Sequence, residues 1–498
     1  MLPLETVEQQ VIYTLYNAIT ITYNIFYHPL RDYPGPRFAA ATRLPLTWFV
    51  LRGWGPHWTS ALHDKYGPVV RVAPNELSYI DKRAWRDIYS STPCAKYGMK
   101  RWDDFVAYFF DQQSSNDSIV SADEEEHRRL RKIFSLGFSK TALVAQEPLI
   151  INHIDHLIEK LRVDQKANMV EVYPFTVFNI MHDLLFGESL NLLDSEENTG
   201  WVKSMPGYMA AALVLGCLAQ LPVFNFFLGI FMPLLTGKPY KRVLQSNSDR
   251  VTKRLSCGVE RPDLIHFLVD RKTPLSRPEL DNAALVMTFA AGDTLPSMLI
   301  GLTYLLLRNR TALHSLVEEI RSTFQVDSEI TINSISNLKW LEACLNESFR
   351  AYPVTPIGFP RIVPNGGAFI AGGWVAGGAI VYVTPLAAYS SSSNFIHAQS
   401  YLPERWLPDP DSLFSGDEKA VLQPFSQGPR DCVGKSMALL MIRLIVCKLL
   451  WNFDMEFDGD HSDWFLNQKA YGTWKKLPLM VKLRPVTLGV AVAAARPC

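Results

Sequence analysis

Apolar positions recur at three- and four-residue spacing from about Ala142 to Ser348. That period predicts long amphipathic helices, among them Asn282–Leu307 and Leu338–Arg350. Beyond Pro353 the texture changes. Glycines and prolines punctuate short alternating runs, Ala368–Ile370 and Ala379–Val383, which read as strands. A last helix is predicted over Lys435–Trp451. No internal repeat, low-complexity linker or compositional break divides the chain. The pattern therefore predicts one large, mainly α domain with a minor β region over residues 31–498, preceded by an N-terminal segment 1–30.

That segment contains VIYTLYNAITITYNIFY at 11–27, apolar and aromatic but interrupted by Asn17, Asn24 and several threonines. It predicts a membrane anchor or an interfacial helix. Glu5 and Glu8 precede it and Arg31, Arg37 and Arg43 follow, a bias that would leave the body of the chain cytoplasmic. Tyr33-Pro34-Gly35-Pro36 forms a stiff hinge, since proline fixes φ and excludes helix. A second apolar stretch, Tyr208 to Leu235, is interrupted by Pro222 and Pro233 and loosened by Gly216 and Gly229. It predicts two helices and a loop that cover an apolar cavity or dip into a membrane surface.

Composition narrows the function classes. The 498 residues are 48% apolar, and acidic and basic residues balance at 49 each, so no net field attracts nucleic acid. The seven cysteines are odd in number, widely spaced and never C-x-x-C, which suits neither a disulfide framework nor a zinc site. A reducing compartment fits.

The most specific stretch is Phe425-Ser426-Gln427-Gly428-Pro429-Arg430-Asp431-Cys432-Val433-Gly434, which satisfies F-x-x-G-x-R-x-C-x-G. From ordinary residue frequencies, such a match arises by chance in on the order of one in ten thousand chains of this length. Glycines at 428 and 434 allow a sharp turn and close approach to a flat cofactor. Arg430 can neutralise a carboxylate, and Phe425 can shield the sulfur from water. Cys432 precedes the predicted helix, whose positive end favours a thiolate.

These residues resemble the ligand loop of the cytochrome P450 family, whose haem iron is held by a Cys thiolate. Other motifs of that family are spread along the chain. Glu347-Ser348-Phe349-Arg350 is similar to its E-x-x-R helix, and Pro403-Glu404-Arg405-Trp406 to its P-E-R-F element, with Trp in the last place. The resemblance makes Glu347, Arg350 and Arg405 a buried structural network that braces the cysteine loop. His127 and Arg131, one helical turn apart in HRRLR, resemble a propionate-binding pair, although an exposed charged helix is an alternative. Arg361 in Phe359-Pro360-Arg361 resembles a further propionate partner. Ala290-Ala291-Gly292-Asp293-Thr294 is similar to the oxygen-binding A-G-x-D/E-T element, with Ala291 where Gly is usual. Asp293 and Thr294 would relay protons there, small residues before them would leave room for O₂, and Pro296 should kink the helix. An alternative makes Asp293-Thr294 the cap of a new helix.

The resemblance implies haem b, with Cys432 as axial ligand of the iron, and a monooxygenase that uses O₂ and NADPH-derived electrons. With only a short tail beyond Pro485, the electrons would come from a separate NADPH-cytochrome reductase docked on Arg128, Arg129, Lys132 and Lys435. Pocket residues would include Trp102, Phe105, Phe109, Phe110, Phe289, Val354, Phe359 and Tyr471, a greasy lining for a lipophilic small molecule. HPLRDYPGPRFAA, IGFPR and YLPERW resemble filamentous-fungal, microsomal-type members that tailor secondary metabolites of terpenoid or polyketide type. The expected protein is a monomer at the endoplasmic reticulum membrane with its catalytic domain cytoplasmic. Two alternatives remain open at this point: a same-fold haem isomerase that does not use O₂, and a membrane transport or binding protein.

Overall fold

The computed structural model describes residues 4–92, 95, 98–101, 118–197, 199–221, 224, 242–258, 260–269 and 275–486. Trp102, Phe105, Phe109, Phe110, Cys94 and Cys498 lie outside these, as do Pro222, Gly229 and Pro233 of the second apolar stretch.

The helices that carry the argument are α1 (Leu4–Phe26), α2 (Glu124–Gly137), α3 (Lys140–Asp164), α4 (Met169–Phe186), α5 (Thr199–Ala219), α6 (Arg277–Arg308), α7 (Lys339–Ala351) and α8 (Lys435–Asn452). The strands are β1 (Val69–Ala73), β2 (Glu76–Tyr79), β3 (Lys100–Arg101), β4 (Lys166–Asn168), β5 (Arg361–Ile362), β6 (Ala368–Ile370), β7 (Gly373–Val375), β8 (Ile380–Val383), β9 (Phe453–Phe457), β10 (Lys469–Tyr471), β11 (Thr473–Lys475) and β12 (Met480–Pro485). One sheet runs β1-β2-β8-β5-β3, parallel only between β2 and β8. A second runs β4-β12-β9, and β6/β7 and β10/β11 are hairpins. The large core lies among α3, α4, α6, α7 and α8, and a smaller one packs on the first sheet.

The long helix α6 begins five residues before the predicted Asn282. Ser276 caps it, with Glu279 reaching back to the Ser276 amide at 2.6 Å, and Pro278 sits in the first turn. This is a capping box, a start signal that the apolar period does not register. The helix then continues through Pro296 to Arg308, so Asp293-Thr294 does not cap a new helix. Gly292 makes the α4–α6 crossing possible: a Cβ there would lie 2.3 Å from the Phe178 ring. The space left by this small residue is thus filled by α4 rather than kept open for O₂.

Tyr208 lies within α5, which runs from Thr199 through Pro206 to Ala219 as one helix. Among the described residues, α5 and α6 are long and apolar enough to cross a membrane, and α6 is mostly buried in the core. Helix α1 is long enough but too polar to join them. Its polar side chains bond to backbone carbonyls: Asn17 to Tyr13 and Thr22 to Ala18, both at 2.7 Å, within the helix itself. Most of its apolar side chains from Val11 to Phe26 are exposed, with Ile25 half-buried.

Candidate active site around Cys432

The loop before α8 is closed by its own backbone. The Cys432 amide donates to Phe425 O at 2.9 Å and the Asp431 amide to Gly428 O at 3.1 Å. Gly428 has φ +84°, and a Cβ there would meet Tyr89 O at 2.1 Å. Neighbouring backbone therefore requires glycine at this position. Gly434 caps α8, its N–H turned to the Cys432 sulfur, and among protein atoms an added Cβ there would meet the Phe138 ring at 3.9 Å and that sulfur at 4.0 Å. Burial pushes the Cys432 thiol up, while that N–H and the Arg131 charge pull it down. The Phe425 ring packs edge-on against Phe349 of α7, with centroids 5.3 Å apart.

Cys432 opens into a cavity of about 400 Å³. Val286, Ala290, Thr294, Leu295 and Met298 of α6 form one wall, Val354, Phe359 and Pro360 the side, and Phe425 and Val433 line it as well. Ala290 and Thr294 are one helical turn apart on this wall, and the Thr294 hydroxyl donates to Ala290 O at 2.6 Å. Asp293 faces elsewhere: its carboxylate accepts from Lys476 and Thr473 beside the β10/β11 hairpin. Two further pocket expectations fail. Phe289 lines a separate cavity with Trp201 and Phe186, and Tyr471 packs on Gly53 with its hydroxyl directed to Leu51 O at 3.3 Å.

The remaining wall is cationic. His127, Arg131, Arg361 and Arg430 all reach the cavity, and Arg101 of β3, which the motifs did not single out, joins them. Helix α2 starts at Asp123, whose carboxylate caps the amides of Glu125 and Glu126 at 3.0 Å. This turns His127 inward while Arg128 stays outside. Arg430 and Arg101 donate to Ala122 O at 2.7 and 3.2 Å, tying β3 and the cysteine loop to the start of α2. Arg131 pairs with Asp431 at 2.5 Å. Arg361 lies 5.1 Å from the Tyr89 ring centroid, donates to Pro360 O at 3.1 Å, and has its pKa lowered by burial. His127 is pushed down to about 3 by burial and then by Arg430, Arg131 and Arg101. Burial first, and then the three arginines, hold the imidazole neutral, and the same arginines would favour an anionic ligand.

Glu347, Arg350 and Arg405 meet in one buried cluster. Arg350 donates to both Glu347 oxygens at 2.7 and 2.9 Å, and Arg405 lies 3.2 Å from the same carboxylate. Glu347 is 0%, Arg350 1% and Arg405 0% exposed, so each charge must be compensated locally. Asp417, absent from the motif reading, pairs with Arg405 and brings two carboxylates against two guanidiniums. Arg350 also binds the carbonyls of Tyr389, Ala398 and Ser400, which fixes the chain leading toward the loop.

A haem would fit this chemistry. Its iron needs an anionic sulfur on one face, which Cys432 offers, and its two carboxylates need cations at one edge, which Arg101, Arg131, Arg361 and Arg430 provide beside the neutral His127. Comparison with known proteins agrees. The family model for cytochrome P450 matches residues 41–483. Cytochrome P450 monooxygenase aneG of Aspergillus aculeatus is 35% identical over 94% of this chain and 89% of its own. Cytochrome P450 monooxygenase FUM2 of Gibberella moniliformis is 37% identical over 92% and 98%. Averantin hydroxylase of Dothistroma septosporum is 37% identical over 95% and 90%. The chain belongs to the cytochrome P450 family and is a monooxygenase, similar over nearly its whole length to those of filamentous fungi.

Proposed function

We propose that this chain binds haem b through Cys432 and inserts one oxygen atom from O₂ into a lipophilic small molecule of fungal secondary metabolism, of terpenoid or polyketide type. The observation that carries the reading is one cavity with the Cys432 sulfur, the Ala290–Thr294 turn and a wall of four arginines with His127 around it. Haem bound there would supply the redox chemistry by which O₂ is reduced and one of its atoms transferred. The protein's own contribution is positional. Cys432 ligates the iron, and Arg101, His127, Arg131, Arg361 and Arg430 hold the propionates. Phe425 and Val433 limit water at the sulfur. Thr294 and Asp293 move protons toward the cavity, and Val354 and Phe359 favour an apolar substrate.

Electrons would come from NADPH through a separate membrane-bound reductase. Arg128, Arg129, Lys132 and Lys435 are exposed and support a basic docking face, in which Arg129 also pairs with Glu126 and Glu279. The exposed apolar side chains of α1, with Trp48 and Tyr208, support an endoplasmic reticulum membrane location for a monomer whose catalytic domain is cytoplasmic. The relative that hydroxylates averantin favours hydroxylation as the outcome.

The test is the absorption spectrum of the reduced, haem-loaded protein under carbon monoxide. Thiolate ligation gives a strongly red-shifted Soret band. Freshly prepared protein without that band would overturn the proposal.

A further inference from the structure

The cavity that takes Phe289 has a volume of about 250 Å³ and shares no lining residue with the one around Cys432. Helix α6 divides them: Leu285, Thr288 and Phe289 face the second cavity, while their neighbours Val286 and Ala290 face the first. The body of the second cavity is apolar, with Phe186 at the end of α4 and Trp201 in the first turn of α5 closing over Leu285 and Phe289. The Trp201 and Phe289 rings meet edge-on with centroids 6.4 Å apart. Its polar end is basic, formed by Arg242 and Arg250 of the helical segment 242–256. Among the described residues, no acidic side chain lines it.

Arg250 is held in a way that leaves its charge in place. Its guanidinium donates to His182 Nε2 at 2.7 Å, and His182 Nδ1 lies 3.1 Å from Glu188 O. A carbonyl oxygen only accepts, so Nδ1 carries the proton and the imidazole is neutral. Burial, and then Arg250 itself, push His182 down to about 4 and keep it so. A neutral imidazole occupies one donor of Arg250 and cancels none of its charge. The acids around it are engaged by other groups. Asp183 pairs with Arg261 at 2.7 Å and with His153 at 3.0 Å, Glu188 with Lys253, and Asp281 with Arg277 at 2.8 Å, while Asp249 accepts from Gln245 at 2.8 Å.

We propose that this cavity is a second ligand site, outside the haem cavity, for a small organic anion: a single apolar ring bearing a carboxylate or phenolate, with its oxygens set against Arg250 and Arg242. Size follows from volume, since drug-sized ligands take about 300–1,000 Å³ and this cavity is smaller. The charged head follows from Arg250, because an oxyanion forms charge-assisted hydrogen bonds to a guanidinium that no neutral group matches. The site does not depend on the monooxygenase reading.

The experiment uses the full-length, haem-loaded protein and two probes of one shape, phenylacetate and its neutral isostere phenylacetamide. Titration calorimetry reads binding, and the Soret band reports whether a probe enters the haem cavity. Wild type should bind phenylacetate at one site per chain, with phenylacetamide weaker by about tenfold or more and the Soret band unmoved by either. R250M should bring phenylacetate down to the level of the amide and leave the amide unchanged. V243W, which fills the cavity and keeps both arginines, should remove both. No saturable binding of phenylacetate, or unchanged binding in V243W, would show that the cavity is not a ligand site. Equal affinity for the two probes, or an equal loss of both in R250M, would remove the anion recognition. A Soret shift on adding phenylacetate would place the probe at the haem instead. Should R250M lose the carbon monoxide band of wild type, R250Q, which retains a donor for His182, carries the same expectations.

Discussion

The indole N–H of Trp406 donates a 2.8 Å hydrogen bond to Glu347 Oε2, the carboxylate that also holds Arg350 and Arg405. Where the family motif has phenylalanine, this chain supplies one more donor to a buried anion. The Leu402 amide adds another at 2.8 Å.

W406F should keep the fold and lose about 1.5–3 kcal/mol, the range for a hydrogen bond to a charged group. E347Q or R405A should cost more, about 3–5 kcal/mol, because each leaves a buried charge without its partner. Thermal unfolding with haem content measured alongside separates the two effects. Equal losses would show that Trp406 is as essential as the ion pairs.

The cationic wall predicts how acid acts on the haem-free chain. His127 stays neutral down to about pH 3, whereas an unfolded histidine titrates near 6.5. As pH falls below about 6.5, the unfolded chain therefore binds a proton that the folded chain refuses, and stability declines until folded His127 also protonates. His28, His63 and His182, each lowered to about 4, act in the same direction. H127N should flatten part of this slope in melting temperature against pH. Haem carboxylates beside the arginines should flatten it too, by relieving the positive field.

T294A removes the hydroxyl that faces the cavity. In the reconstituted enzyme NADPH consumption should persist while the share of electrons released as peroxide rises several-fold. Unchanged coupling would remove Thr294 from the proton path.

G428A tests the loop's backbone. The residue would have to hold φ +84° with its Cβ against Tyr89 O. Strain of about 1–3 kcal/mol before any clash should appear as a lower melting temperature and weakened haem retention.

Much of the site was legible because local spacing carries it. The Phe425–Gly434 motif identified Cys432, and the i, i+3 spacing of Glu347 and Arg350 placed both charges on one helical face. Ser276-x-x-Glu279 was equally readable as the start of α6 but does not alter the apolar period. Asp417 and Arg101 carried no readable signal, since nothing near either in sequence points to Arg405 or to the cavity. Phe289 and Tyr471 were misplaced for a related reason: an aromatic side chain packs wherever the assembled elements leave room, and composition does not say on which side.

By itself the sequence determined the family and the helices that carry Asp293, Thr294 and the brace, and it singled out Cys432. These follow from short-range periodicity and from a motif whose parts lie within one loop. Only the tertiary structure decided partners. It gave Asp293 to Lys476, about 180 residues away, Trp406 to Glu347, and the room beside Gly292 to Phe178. Such choices depend on where distant segments meet in three dimensions, because burial and charge compensation act through space and not along the chain.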